Sequence, residues 1–302
     1  MNALPRHVRH GARGRGLAFV LLALLSGACL ADEARVLGKG IVSTAAVEYG
    51  AAVDPINGAL YFVRTDAPWG TPGCGRILVS LPNEAEWSEP SDFLAGNDVC
   101  YGDPFVSPDG QQFFFTSNAH EDPERSDDDI WSMRRTASGW SKPARVDGLN
   151  STAAEFSPVS TRSGTLYFAS DRPGGSGSGD LWRARRLGTR YAQPENLGTS
   201  VNSEHGEWNL FVDPEEEYLL FESSGRAGAM SAAGDLYRSW RRGDSWSVPM
   251  PVVSINTSQS ELMPRPSLDG QLLYIARSNA QGGADILEVP VSLVLEGRES
   301  AF

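Results

Sequence analysis

The chain has 302 residues, of which 40% are hydrophobic, and it contains 32 glycines and 19 prolines. This is the composition of a turn-rich globular protein. It lacks the Leu/Ala-rich periodic segments of a helical protein and the alternating strand–helix blocks of an α/β enzyme. The formal charge of −12 argues against binding of nucleic acid or anionic lipid through the overall field of the protein.

The first 31 residues differ from the rest. Four arginines and no acid precede the apolar run "LAFVLLALLSGACLA", which is the order of a secretory signal. The run is too short to span a bilayer. It also precedes the mature chain, 32–302, in which we expect no transmembrane segment. Cleavage after Ala31 would shift the formal charge from −12 to −16 and deliver a periplasmic or secreted protein. "LSGAC" also resembles a lipobox, which makes a lipid anchor at Cys29 the alternative.

A pattern of constant period fills the mature chain. Similar segments surround an apolar anchor in each copy, and successive anchors are separated by 53, 53, 53 and 54 residues. The anchors are Phe62, Phe115, Phe168, Phe221 and Ile275. Each copy offers four short extended segments between turn residues, and four strands in about 50 residues make one blade of a β-propeller. The sequence therefore predicts a single all-β propeller of five four-stranded blades.

The last copy lacks its fourth segment, and a matching segment stands at the other end of the chain. "ARVLGKGIVSTAAVEY" from Ala34 is similar to "ARVDGLNSTAAEF" from Ala144. We therefore expect the mature N-terminus to supply the outer strand of the last blade, which would pair the exposed sheet edges and close the ring.

The repeat resembles a known family. "SPDGQQFFFTSN…DDDIW", "SGTLYFASDRPGGSGSGDLW" and "LDGQLLYIARSNAQGGADIL" are similar to the TolB-type, WD40-like propeller repeat of exported bacterial proteins. The resemblance covers nearly all of the mature chain. It implies an exported propeller fold and is less informative about activity.

Two cysteines remain after removal of the signal, Cys74 and Cys100. An even pair in an oxidising compartment predicts one disulfide. Closing a loop of this length would contribute about 3 kcal/mol in the chain-entropy model.

A carboxylate stands near the start of the predicted inner strand in every copy. These channel carboxylates are Glu48, Asp103, Glu155, Glu207 and Glu261. Because an acid recurs in every blade, a structural role is favoured. Binding of a hard cation such as calcium, or acid–base catalysis as in glycosidases, is the alternative. The two histidines that remain are too few for a three-histidine zinc site, so no metal site or cofactor is expected.

The longest loops connect the second and third strands and join successive blades, and both classes emerge on one face. Candidate contacts on that face are Trp69, His120, Arg172, His205 and Arg226. We therefore expect a non-catalytic exported propeller that binds an envelope protein, a peptide or a glycan there. The alternative is a secreted carbohydrate-active enzyme, which would need two unequal acids in the channel.

Overall fold

The computed structural model describes residues 34–71, 73–84, 86–120, 122 and 124–296. The predicted signal segment, its cleavage site and Cys29 lie outside the described residues and stay predictions. Within the described ranges, no helix is long and apolar enough to cross a membrane.

Regular structure is almost entirely β-strand, as the sequence predicts. A short strand, Arg35–Val36 (β1), precedes the first antiparallel unit. The strands of that unit are Val47–Val53 (β2), Leu60–Thr65 (β3), Arg76–Ser80 (β4), Pro82–Asn83 (β5), Glu86–Trp87 (β6) and Ser91–Leu94 (β7). They pair in the order β2-β3-β4-β7, and β5 and β6 form a small hairpin beyond β4.

The next two units repeat this plan. The second contains Tyr101–Val106 (β8), Gln112–Ser117 (β9), Asp129–Thr136 (β10), Gly139–Trp140 (β11) and Ala144–Arg145 (β12). The third contains Glu155–Ser160 (β13), Leu166–Ser170 (β14), Asp180–Ala184 (β15), Arg186–Leu187 (β16), Arg190–Tyr191 (β17) and Glu195–Asn196 (β18). In both, the first three strands pair in sequence order and a two-residue strand, β12 or β18, lies on the outer edge.

Two further units complete the described chain. One contains Gly206–Val212 (β19), Tyr218–Ser224 (β20), Asp235–Arg242 (β21), Ser245–Trp246 (β22) and Met250–Pro251 (β23). The other contains Glu261–Pro266 (β24), Leu272–Ser278 (β25) and Ala284–Pro290 (β26), followed by a short helix, Val291–Val294 (α1). Four-stranded antiparallel units of this kind are the blades of β-propellers.

The N-terminal strand takes the fourth place beside β26. Arg35 and Val36 of β1 pair antiparallel with β26, and the amide of Leu37 donates to the carbonyl of Ile286 at 2.8 Å. Val146, just after β12, makes the same amide contact with Ile130 of β10. The β26 edge also meets β2 through one parallel pair, Val47 with Ala284, so β24-β25-β26 and the first unit belong to one sheet.

The repeat anchors lie in the second strand of each unit. They are almost completely buried, with exposures of 0 to 1% for Phe62, Phe115, Phe168, Phe221 and Ile275. The first strands of successive units contact one another, β2 with β8, β8 with β13, β13 with β19, and β19 with β24, and β24 contacts β2. The constant spacing of the anchors therefore reflects one buried aromatic or aliphatic side chain per unit.

Every first strand has a bulge at the same register. One residue in each bulge has a positive φ, between 48° and 66°: Gly50, Asp103, Ser157, Asn209 and Met263. Side chains seldom adopt this conformation, so four of these five positions hold a strained backbone. Neighbouring bulges contact one another, because Ser157 bonds to both Asp103 and Asn209. A Cβ added to Gly50 would lie 3.3 Å from the sulfur of Met263. The bulge residues thus meet where the first strands converge.

The predicted disulfide is present. Cys74 and Cys100 are bonded, with their Cα atoms 4.7 Å apart. Cys74 lies in the loop between β3 and β4 and Cys100 lies just before β8, so the bond connects the first unit to the second.

Candidate functional site

Four of the predicted channel carboxylates form one repeated ion pair. Oε1 of Glu155 accepts hydrogen bonds from the hydroxyl of Ser151 at 2.6 Å and from Nη2 of Arg172 at 2.7 Å. Its other oxygen accepts the amide of Ser151 at 3.1 Å. Arg172 also donates to the carbonyl of Leu149 at 2.6 Å. The carboxylate therefore joins the segment that enters β13 to the end of β14.

The same contacts recur in three other units. Each glutamate is completely buried and bonds to a Ser or Thr four residues earlier and to one arginine. These junction pairs are Glu48–Arg64, Glu155–Arg172, Glu207–Arg226 and Glu261–Arg277. The hydrogen-bonding capacity of these four acids is thus used within the protein, and their structural role stays a prediction.

Asp103 is not the equivalent of those glutamates. Tyr101 stands opposite Ser117 as Glu155 stands opposite Ser170, so Tyr101 holds the junction position in the second unit. Asp103 lies two residues further along, at the bulge. The second unit thus has no junction pair among the described residues, and the disulfide at Cys100 lies at that point instead.

The residues proposed as face contacts lie in different surroundings. Arg172 and Arg226 belong to the junction pairs. The side chain of His120 is only 3% exposed, with Nε2 2.6 Å from the carbonyl oxygen of Asp127. His205 and Arg226 line a cavity of about 520 Å³. Trp69 is half-buried beside another pocket, where its ring makes an edge contact with Tyr49 at 6.4 Å.

That second pocket, the axial pocket, has a volume of about 430 Å³. It opens on the face that carries the segments between second and third strands and the segments between units, which we call the long-loop face. Its walls come from the first strands β2, β19 and β24, the ends of β3 and β20, and the loop after β3. The residues that line it are Val47, Tyr49, Thr65, Ala67, Pro68, Trp69, Gly70, Thr71, Gly73, Asn209, Glu222, Ala233, Ser260, Leu262 and Met263.

Glu222 is the acidic side chain of the axial pocket. It is 7% exposed, and the hydrogen bond to its carboxyl from the described residues comes from Nδ2 of Asn209. Burial raises the pKa of Glu222 to about 7, and the nearby charge of Asp235 acts in the same direction. No arginine, lysine or histidine of the described residues forms an ion pair with it. Glu222 is therefore a buried acid without a cation.

Glu222 is also peculiar to its unit. It stands opposite Trp208, and the corresponding positions in the other second strands are uncharged: Val63, Thr116, Ala169 and Ala276. It is not among the site residues that the sequence predicts, although the sequence contains a signal for it. The residue after each repeat anchor is uncharged in four copies and is glutamate in one.

A chain of hydrogen bonds connects Glu222 to Asp103. The amide of Ser157 donates to Asp103 at 2.8 Å, and the Ser157 hydroxyl donates to Oδ1 of Asn209 at 3.1 Å. Asn209 in turn donates to Glu222. Burial raises the pKa of Asp103 as well. Two dissimilar acids are thus linked through the bulge residues of adjacent units.

Arg265 is a buried cation in β24. Its side chain is 1% exposed, and Nη1 donates to the carbonyls of Leu210 at 2.8 Å and Pro264 at 2.9 Å. Burial lowers the pKa of Arg265 to about 10, and the charge of Asp103 opposes this change. Within the described ranges, no group of three or more His, Cys, Asp and Glu side chains is arranged to hold a metal ion.

Comparison with known proteins gives structural likeness only. No family model and no curated protein matches the chain. TolB from Acinetobacter baumannii has a TM-score of 0.48 and 13% identity, over 80% of this chain and 54% of that one. A glucose dehydrogenase has a TM-score of 0.48 and 12% identity, over 85% of this chain and 98% of that one. The GH93 alpha-L-arabinofuranosidase of Fusarium graminearum has a TM-score of 0.44 and 14% identity, over 82% and 94%.

The chain spans about half the length of TolB, at 54%. Because these identities and TM-scores are low, the strand pairing itself is the evidence for the fold.

Proposed function

We propose that this chain is an exported, closed five-bladed propeller of the TolB type that binds an envelope protein, peptide or glycan through its long-loop face. The closed ring is supported by the cyclic contacts of the first strands and by the place of β1 beside β26. Export is supported by the Cys74–Cys100 disulfide and by the composition of the first 31 residues.

The observation that carries the binding function is the concentration of unshared side chains in the axial pocket. The shared acids of the channel are occupied by arginines, whereas Tyr49, Trp69 and Glu222 surround an open cavity on the long-loop face. Concave sites with aromatic walls and a few polar groups are typical ligand sites. Of the five predicted face contacts, Trp69 lies in this pocket. His205 lines the other cavity, and Arg172 and Arg226 bond to Glu155 and Glu207 in the junction pairs.

The test is capture from an envelope extract by the purified mature protein and by Trp69→Ala. The matched control is Leu268→Ala, an exposed residue in the turn between β24 and β25 on the opposite face. We expect Trp69→Ala to lose the captured ligand and Leu268→Ala to retain it, with circular dichroism unchanged in both. Equal capture by Trp69→Ala would reject the axial pocket as the binding site.

The second candidate is a carbohydrate-active enzyme, which Asp103 and Glu222 favour because they are dissimilar buried acids on one hydrogen-bonded chain. Glycosidases use a pair of acids in different environments. Hydrolysis of a polysaccharide that both Asp103→Asn and Glu222→Gln abolish would support this function. A screen of envelope and plant polysaccharides without hydrolysis would argue for binding alone.

A further inference from the structure

Among the described residues that line it, the axial pocket has a negative group and no positive one. These residues include no lysine, arginine or histidine, and Glu222 is the one carboxyl among them. Four other buried glutamates in this protein each have an arginine within 2.7 Å. A buried carboxylate is costly unless a cation accompanies it. Glu222 therefore places a buried carboxyl that has no cation among the described residues at the wall of an open cavity.

The rest of the lining suits an apolar stem. Val47, Leu262 and Met263 contribute aliphatic and thioether surface, and Trp69 and Tyr49 contribute aromatic rings. Aromatic faces attract ammonium groups, and methylene chains pack well against both kinds of surface. An alkylammonium ligand matches this combination, because it pairs a single positive charge with an apolar chain.

We propose that the axial pocket binds a primary alkylammonium group, with its nitrogen against the carboxylate of Glu222 and its methylene chain against Trp69 and Met263. This proposal rests on the proposed binding function and specifies the ligand chemistry of that site. A lysine side chain and the amino terminus of a peptide both present such a group, and the experiment separates the two sources.

Binding is expected to depend on pH, because the cation requires the ionised form of Glu222. Asp235 of β21 is the charged group that raises the pKa of Glu222. Glu207 of β19 and Glu261 of β24 are paired with arginines, and Arg265 of β24 acts on Asp103. With a pKa of about 7, Glu222 is largely protonated at pH 5.5, so binding at that pH must release a proton and is weaker.

The experiment is calorimetric titration of the mature protein with n-butylammonium, with n-butanol as the uncharged probe. We expect n-butylammonium to bind at pH 7.5 and n-butanol not to compete. Glu222→Gln should weaken binding at least about tenfold, which corresponds to a loss of about 1.4 kcal/mol in binding free energy. The matched control is Glu204→Gln, an exposed acid of the long-loop face, which should leave the affinity unchanged.

Two further arms complete the design. Titration at pH 5.5 in buffers of different ionisation enthalpy should show proton release together with weaker binding. A peptide with an acetylated amino terminus and one lysine, compared with a free amino terminus and no lysine, identifies the source of the ammonium. Circular dichroism verifies that Glu222→Gln is folded.

Equal affinity in Glu222→Gln, or no binding of n-butylammonium at pH 7.5, would overturn the alkylammonium proposal. Failure of the binding function itself looks different, since capture from the extract would then not depend on Trp69. A Trp69-dependent ligand that n-butylammonium does not displace would retain the binding function and reject the ammonium.

Discussion

Buried glutamates have opposite surroundings in the junction pairs and in the axial pocket. Glu155 is completely buried and Glu222 is 7% exposed, so burial barely separates them. Glu155 has a hydroxyl, an amide and an arginine, whereas Glu222 has the side-chain amide of Asn209. A cationic partner, rather than the degree of burial, therefore separates the four junction glutamates from Glu222.

Deletion of the N-terminal segment is expected to have the largest effect on stability, because this segment supplies the outer strand beside β26. Deletion of residues 32–42 removes β1 together with Leu37 and Val42, which are 2% and 0% exposed. Losing two core residues alone costs at least about 5 kcal/mol. We expect calorimetry to show a melting temperature lower by more than about 10 °C. Arg35→Ala, an exposed change in the same strand, is the control and should leave the melting temperature nearly unchanged. An unchanged melting temperature in the deletion would contradict the role of β1.

Glu155→Gln, compared with Glu222→Gln, tests whether a buried glutamate with an arginine partner contributes more to stability than one without. It leaves the guanidinium of Arg172, 11% exposed, without its carboxylate, and breaking a buried pair costs about 3 to 5 kcal/mol. Urea unfolding at pH 7.5 should show this loss in Glu155→Gln. Glu222→Gln, the matched variant, removes an unpaired charge and should not destabilise the protein. Similar losses in both variants would show that the comparison is mistaken.

The disulfide extends the comparison to the unit that lacks a junction pair. Cys74 and Cys100 close a loop with a sequence separation of 26 residues, at the point where Tyr101 replaces the glutamate. The double variant Cys74→Ser/Cys100→Ser should lose about 3 to 4 kcal/mol by the loop-entropy relation. Urea unfolding of the reduced wild type provides the control and should approach the same value. No loss in either sample would mean that packing alone holds the first two units together.

Much of the fold was predictable because the repeat is local. The anchor spacing predicted the buried second strands, and the similarity of the segments from Ala34 and Ala144 predicted the pairing of β1 with β26. The cysteine pair predicted the disulfide. The arginines of the junction pairs were harder to assign. Arg277 stands directly opposite Glu261, whereas Arg172 follows the residue opposite Glu155 by two positions.

The candidate site was less predictable because it depends on what the repeats do not share. In β8 Asp103 stands at the bulge, and Tyr101 holds the position that glutamate has in the other first strands. The sequence does carry this signal, because Tyr101 precedes the anchor Phe115 by the same number of residues as Glu48 precedes Phe62. Glu222 lies in an ordinary strand sequence, "EYLLFESS", and its significance comes from Asn209 of the neighbouring strand and Met263 of the next unit. Those neighbours are set by tertiary packing rather than by local pattern.

The pH dependence of the free energy of unfolding reports the pKa of Glu222 in the folded protein. The pKa of Glu222 is about 7 in the folded protein and near its ordinary value in the unfolded chain, so the folded state holds the proton more tightly. This contribution is fully present below about pH 4.5 and is lost as the pH rises through 7, by about 3 kcal/mol in total. Glu222→Gln does not titrate, so its free energy of unfolding relative to wild type should increase between pH 5 and 8. Urea unfolding across that range measures the difference, and Glu204→Gln is the control expected to follow the wild type. A constant difference between Glu222→Gln and wild type would show that the pKa of Glu222 is not raised in the folded protein.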